Sequence, residues 1–429
     1  MIARTEPVVA HGRQHGVGLV ETMVGIFIGA IVIVVIYNIL AVAENYRRTT
    51  VGSSDAQVTG LLSQFVASRD LANGGAGITM STWSNTGPAD MVNCTRNEAG
   101  APASGFAVTS LEAAIRPIPV IITNGGGPGV SDSFISYSAG AAHVMWPVDF
   151  TANSLAGAAT ITVQSPNGFT VPVPTAAAPY WGVVMDGAGK CKLLRLTNAA
   201  PDVTLPLTGR VTLTVDPTTP LLTDYTTAAP ARLLNIGPQG LATRVRYDVD
   251  GVNGVLRTSD LLVVPPAAVT PVPIAQNVVL MKAQYGIDTN GDGIVDCWTP
   301  ADASTCNDWS EAAVRVGDLA KLNQLLAVRV GVVVRSDEPD LRLLTDPTNP
   351  QLISEASGIL QATRPQVVLF NCSTNNAACQ NRVVVPMGAG VPVGAPTCAP
   401  AVICDYWRYR TYETIIPIRN SIYNATTPP

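Results

Sequence analysis

Positive charge is scarce in this chain of 429 residues, which holds four lysines (Lys190, Lys192, Lys282, Lys321) and carries a net charge of −5. No basic stripe is available to neutralise phosphates, so nucleic acid is not expected as a direct partner. Histidine is scarcer still: His11 and His15 lie near the N-terminus, and His143 stands alone beside Met145 and Trp146. A lone imidazole between apolar neighbours reads as packed, not as the base of a nucleophile. The glycine-rich run from Asn124 to Gly129 lacks the Gly-Lys-Ser/Thr that cradles phosphates. The eight cysteines include no Cys-x-x-Cys pair, and no histidine partners them, so no zinc site is legible. These absences nominate no catalytic residue and point away from an enzyme. Charged residues make up 13% of the chain, and Gly 37 and Pro 33 punctuate it too often for long helices beyond the first. A β-rich body follows, with length for two average domains.

What the chain does have is a long apolar run with one acid at its mouth. Apart from Glu21, nothing from Val17 to Ala43 is charged. At about 1.5 Å per residue this run makes roughly 40 Å of helix, enough to cross a hydrocarbon core. A carboxylate near the end of such a helix is expensive in lipid and implies a function and a partner. Gly16-Val17-Gly18-Leu19-Val20-Glu21 resembles the processing site of type IV prepilins. The resemblance implies cleavage between Gly16 and Val17 by a prepilin peptidase, which also N-methylates Val17. It gives Glu21 an assembly role, pairing with the N-terminal amine of a neighbouring subunit. Two plainer readings compete. One is a secretory signal peptide, with Arg4 and Arg13 as its basic region, Met23 to Leu40 as its apolar stretch and Ala41-Val42-Ala43 as a cleavage site. The other is a plain membrane anchor. Neither explains Glu21. In each case the positive-inside bias leaves the leader in the cytoplasm and the bulk of the chain outside. The prepilin resemblance implies a single pass of the inner membrane with the head in the periplasm, then the pilus at the cell surface after assembly.

Beyond Tyr46-Arg47-Arg48 the helix is expected to continue, because Val58, Leu61, Leu62, Phe65 and Val66 recur at helical spacing and form a stripe for a globular body. Gly52-Ser53-Ser54 is a weak point where a bend is expected, and Asn73-Gly74-Gly75 ends the helix. Short apolar runs then read as strands: Ile115 to Thr123, Phe134 to Tyr137, Trp181 to Met185 and Val211 to Val215. The expected fold class is α+β, a long N-terminal helix packed on an antiparallel β-sheet. The expected division is a leader (1–16), a transmembrane half-helix (17–43), a periplasmic half-helix (44–76) and a β-rich head (77–429). Residues 79–180, rich in Ala, Gly, Thr and Ser, are expected as an insertion on that head.

An even cysteine count in an exported chain favours disulfides. Close spacing suggests Cys297–Cys306, Cys372–Cys379 and Cys398–Cys404, leaving Cys94 and Cys191 for a long-range bridge, although spacing alone leaves connectivity open. Asp288-Thr289-Asn290-Gly291-Asp292-Gly293-Ile294-Val295-Asp296 matches a calcium loop. Side-chain oxygens at Asp288, Asn290, Asp292 and Asp296, a carbonyl at Ile294 and a glycine at the sharp turn suit a hard cation that takes about six to eight oxygens. Position twelve of the loop (288–299) is Thr299 where an EF-hand has glutamate, so Asp302 or Asp308 is left to complete the set. The preceding Val278 to Tyr285 reads as a strand, which argues against a true EF-hand, and the alternative is an unmetallated turn.

Tyr285 to Asp296 (YGIDTNGDGIVD), Leu326 to Arg335 (LAVRVGVVVR) and Trp407 to Tyr412 (WRYRTY), running on to Ile418-Arg419-Asn420, resemble in sequence and order the PilW family of type IV pilus minor pilins. The resemblance covers about the first 75 residues and most of 230–420. It implies a pilin fold, a second helix half over Gln57 to Ala76 and a core hairpin over Leu233 to Arg257. It also implies minor and major pilins as partners and a role in initiating pilus assembly, and the size of the head points to a place at or near the tip. Val17 replaces the usual phenylalanine, and the proline that kinks many major-pilin helices is absent. A minor pseudopilin of a type II secretion system shares the same helix. A membrane-anchored adhesin or hydrolase that borrows it for export is the reading of a different class.

Overall fold

The computed structural model describes residues 18–76, 118–140, 147–201, 209–262, 269–336, 366–370, 383–386 and 409–418, apart from 128, 167, 170–172, 188, 228–230, 242, 304–305 and 317–318. The chain forms two compact units, Met1–Gly52 and Ser53–Pro429. The described part of the first is helical, and Leu19–Glu44 is long and apolar enough to cross a membrane, with none of that window buried by the rest of the chain. Its helix, α1 (Leu19–Ala72), continues into the second unit. No proline lies within it, and Gly52-Ser53-Ser54 remains helical instead of breaking it. Asn73-Gly74-Gly75 ends it as expected: the Gly74 N–H donates to the Leu71 carbonyl at 2.9 Å, and Gly75 takes φ 79°.

After α1 come β1 (Val120–Thr123) and β2 (Ser133–Ser138), then β3 (Val148–Asp149), β4 (Thr160–Val163), β5 (Tyr180–Met185), β6 (Cys191–Pro201), β7 (Val211–Val215) and β8 (Arg232–Pro238). Next are β9 (Thr243–Asp250), β10 (Val255–Asp260), β11 (Val272–Gln276), β12 (Val278–Ile287) and β13 (Cys297–Thr299), then α2 (Glu311–Val316) and α3 (Leu319–Asn323). The described elements end with β14 (Leu325–Arg335), β15 (Gln366–Leu369), β16 (Val383–Pro386) and β17 (Tyr409–Pro417). Every named strand pairing is antiparallel.

Two sheets form the body against α1. One has the order β1-β2-β9-β10-β11, the other β13-β12-β14-β17, and their apolar faces share a core with Ala56, Ala67 and Leu71 of α1. β12 and β14 are buried almost throughout, the continuous apolar pattern of strands covered on both faces. β15 and β16 form a separate hairpin.

The face that α1 turns to this body is not the expected one. Ala56, Gly60, Ser63, Ala67 and Leu71 are buried, whereas Val58, Leu61, Leu62 and Phe65 are exposed; of the expected stripe, Val66 alone packs on the core. Small side chains let the helix backbone approach the sheet. At Gly60 an added Cβ would fall inside 3.0 Å of the Tyr412 ring on β17. Polar contacts fix the far end of the helix. The Tyr247 hydroxyl donates to Asp70 Oδ2 at 2.5 Å, and Ser136 Oγ donates to the Asp70 carbonyl at 2.7 Å.

The insertion also lies elsewhere than expected. β2 pairs directly with β9, Phe134 opposite Tyr247, so the chain leaves the body sheet after Ser138 and rejoins it at Thr243. The expected interval, 79–180, includes β1 and β2 of the body. Likewise the hairpin expected over Leu233 to Arg257 is β9–β10, while β8 belongs to the inserted sheet. That sheet, β3-β8-β5-β6-β7-β4, closes on itself. Phe150 donates its N–H to Ala231 beside β8 at 2.9 Å and also bridges Val163 of β4, while Thr151 and Gln164 donate across the same seam at 2.9 and 3.0 Å. Closure leaves no strand edge open along that seam. Phe150, Phe169, Tyr180, Leu194, Leu196 and Leu213 are among the residues that fill the interior, so this small barrel has a solid core. Trp181, Val183 and Leu193 point outward and pack against Tyr137 and Leu262 of the body.

Candidate functional site

Glu21 lies in the first turn of α1, exposed, with its N–H donating to the Gly18 carbonyl at 2.9 Å. A carboxylate there is favoured by the helix dipole in water, but in lipid it requires a partner. Gly16 and Val17 lie outside the described residues.

The Asp-rich loop joins β12 to β13. Asp288 is buried at the end of β12, and its carboxylate accepts N–H groups from Asn290 (3.2 Å), Gly291 (2.6 Å) and Gly293 (2.7 Å). Gly291 and Gly293 take φ 83° and 82°, conformations that glycine alone adopts cheaply. The Asn290 side-chain oxygen accepts the Asp292 N–H, and Asp292 Oδ1 accepts the Ile294 N–H, at 2.9 and 2.8 Å. Asp296 accepts the Thr289 hydroxyl and N–H at 2.8 and 2.9 Å, bonds that hold its carboxyl below the usual range. The donor set is all oxygen, as a hard cation wants. Even so, among the described residues no group of three or more His, Cys, Asp or Glu side chains is placed to hold a metal ion. Of the two nearest acids, Asp308 is turned to the Ser310 N–H at 2.9 Å.

Behind the loop, Cys297 and Cys306 are disulfide-bonded with Cα atoms 6.4 Å apart. Cys191 is disulfide-bonded as well. Cys94, Cys372, Cys379, Cys398 and Cys404 lie outside the described residues, as does His143. The same side of the body carries a ring cluster, with Tyr285 and Trp309 centroids 5.5 Å apart and the Tyr285 hydroxyl accepting the Ile122 N–H at 2.6 Å. Burial pushes the Tyr285 phenol well above its ordinary range.

Two arrangements were not legible in the sequence. Lys282 on β12 is buried with Asp132, Nζ to Oδ1 2.9 Å, and also donates to the Gly127 carbonyl at 2.7 Å, while Asp132 accepts the Gly125 and Ala283 N–H groups. This pair pins the glycine-rich loop expected over Asn124 to Gly129. Arg329 on β14 lies between the Trp298 and Phe370 rings, 4.9 and 4.5 Å from their centroids, and donates to the Gln284 side-chain oxygen. Burial lowers its guanidinium to about 10. A lone charge inside a run of apolar strand residues is the only sequence signal of either.

Residues 248–420 match the family model of type IV pilus-assembly protein W, and residues 11–37 match the prokaryotic N-terminal methylation motif. Neither a curated protein nor a solved structure matches the chain. The first match takes in β10 to β17 with the Asp-rich loop, and the second takes in Glu21 and the start of α1. The barrel between β2 and β9 falls under neither. With a prepilin methylation motif on an apolar helix and a pilus-assembly protein W region in an antiparallel body, this chain is a type IV pilus-related pilin.

Proposed function

We propose that the chain is a minor pilin that takes part in initiating type IV pilus assembly, held at or near the tip, with a structural and not a catalytic role. The leader faces the cytoplasm, the head folds in the periplasm, and Glu21 pairs with the methylated N-terminus of a neighbouring subunit. What carries the tip position is the barrel inserted between β2 and β9. A subunit repeated along a shaft must fit a neighbour on every side, whereas an end subunit has room for an added module. Disulfide formation at Cys297–Cys306 supports an oxidising compartment for the head. The experiment is mass spectrometry of the mature protein together with recovery of wild type and Glu21→Val in sheared pilus fractions. An N-terminus at methylated Val17, and a variant that inserts but is lost from the fibre, are expected. A mature N-terminus at Glu44, or normal recovery of the variant, overturns the reading.

We propose further that the loop from Asp288 to Asp296 takes a structural calcium ion. The support is its oxygen at positions 288, 290, 292 and 296 and its two left-handed glycines. The cation would compete with the loop's own N–H donors, so the outcome rests on a melting experiment.

A further inference from the structure

β17 ends its sheet, and its register with β14 runs without a shift from Ala327 opposite Pro417 to Arg335 opposite Tyr409. One step further on, the Ile418 N–H donates to the Leu326 carbonyl at 2.8 Å, so that pair is a hydrogen-bonded one. Bonded and non-bonded pairs alternate along an antiparallel ladder. Ile416, Thr414 and Tyr412 therefore bond to β14, while Ile415, Glu413 and Thr411 turn their N–H and carbonyl groups to the outer edge. Pro417 fits this alternation, since it faces outward and has no N–H to give. Among the described residues no hydrogen bond reaches the backbone of Thr411, Glu413 or Ile415, and all three are exposed. The neighbouring Phe370 N–H, at 2.8 Å, meets the Glu413 side chain and not the strand's backbone.

Other edges are closed or blunted. The barrel closes along its seam, β1 gives its Ile122 N–H to the Tyr285 hydroxyl, β11 contains Pro273, and β13 is three residues long. An exposed and regular edge is a template for another strand, and folds ordinarily blunt it. Resting on the pilin reading, we infer that the outer edge of β17 accepts an extended strand of a different pilin by backbone pairing. β17 lies within the region that matches pilus-assembly protein W and outside the inserted barrel, which ties its partner to assembly. A second copy of this chain is disfavoured by charge. The two-fold register that engages Thr411, Glu413 and Ile415 on both copies sets Glu413 opposite Glu413, and like charges directly opposite are destabilising. A strand with a basic residue opposite Glu413 and an apolar one beside Ile415, which is 63% exposed, complements this edge.

The test is site-specific photocrosslinking in intact cells, with p-benzoylphenylalanine at Ile415 and, as a control, at Leu241, which is exposed on the head. A product that mass spectrometry identifies as containing another pilin is expected from position 415 and not from 241. Thr411→Pro tests the backbone pairing itself, because it deletes an outward N–H and leaves the ladder to β14 intact. It is expected to keep the wild-type melting midpoint and to lower the 415 product at least tenfold, whereas Thr411→Val keeps that product. A product undiminished by Thr411→Pro overturns strand addition. The crosslink in the otherwise unchanged chain decides independently of that variant. If the chain is recovered in sheared pilus fractions but position 415 crosslinks only to a second copy, only to a protein that is not a pilin, only to lipid or to nothing, this inference alone falls. Absence of the chain from those fractions removes the pilin reading and the inference with it.

Discussion

Gly60 on α1 sits against the ring of Tyr412 on β17, so close that a Cβ at position 60 would overlap three ring atoms. Glycine in a helix interior ordinarily costs about 1 kcal/mol relative to alanine. Here the approach of helix to strand requires it.

Gly60→Ala is expected to gain that propensity but to lose about 1–3 kcal/mol to overpacking, for a net destabilisation. Tyr412→Ala should largely relieve the clash, making the pair non-additive. Thermal melts of the detergent-solubilised chain check this, and strictly additive effects of the two substitutions would show that they do not touch.

Lys282→Met leaves Asp132 buried without its cation, and breaking such a pair from one side costs about 3–5 kcal/mol. Lys282→Met/Asp132→Asn should recover part of the loss, since no uncompensated charge stays buried, but only part, because the Gly125 and Ala283 N–H groups bond to different Asp132 oxygens and the amide offers one. Denaturant midpoints that fall further in the double variant would refute the pairing.

Asp216, at the end of β7, gives the barrel an acid-sensitive contact. Burial pushes its carboxyl up, but hydrogen bonds from the Thr218 hydroxyl and N–H, at 2.6 and 2.8 Å, and the charge of Arg195 outweigh this and hold it below its ordinary value. Stability from a carboxyl depressed in the folded state is fully present above its unfolded value, about 4, and is lost as pH falls through the lower folded value. Asp216→Asn should therefore cost about 1–3 kcal/mol near neutrality, with the gap to wild type closing in acid. A gap that stays constant down to about pH 2 would mean that the charge is not its source.

If the loop from Asp288 to Asp296 holds calcium, the ion stabilises the fold by about 2.7 kcal/mol at a hundredfold excess over Kd, so the melting midpoint rises with calcium and falls with chelator. Asp292→Ala should abolish the response. The Cys297–Cys306 bridge closes a short loop behind the site and adds about 2–3 kcal/mol in the chain-entropy model. Identical wild-type midpoints with calcium and with chelator would leave the loop an ordinary turn.

The methylation motif, the membrane-spanning run and the strands from Val278 to Arg335 were determined by the sequence alone, because each depends on local pattern. A 26-residue span of such high hydropathy admits few fates, and the strands buried on both faces read as long, mostly apolar runs. The Cys297–Cys306 bridge was legible for the same reason, since the partners are nine positions apart in the sequence. Helix siding was not. Val58, Leu61, Leu62 and Phe65 outrank Ala56, Gly60 and Ala67 by hydrophobicity, yet the tertiary structure chose the small face because steric fit to Tyr412 decides which side can approach. The barrel boundaries were equally hidden. Pairing of β2 with β9 and closure of β3 onto both β4 and β8 are contacts between residues far apart in the chain, and such contacts exist only once the chain has folded.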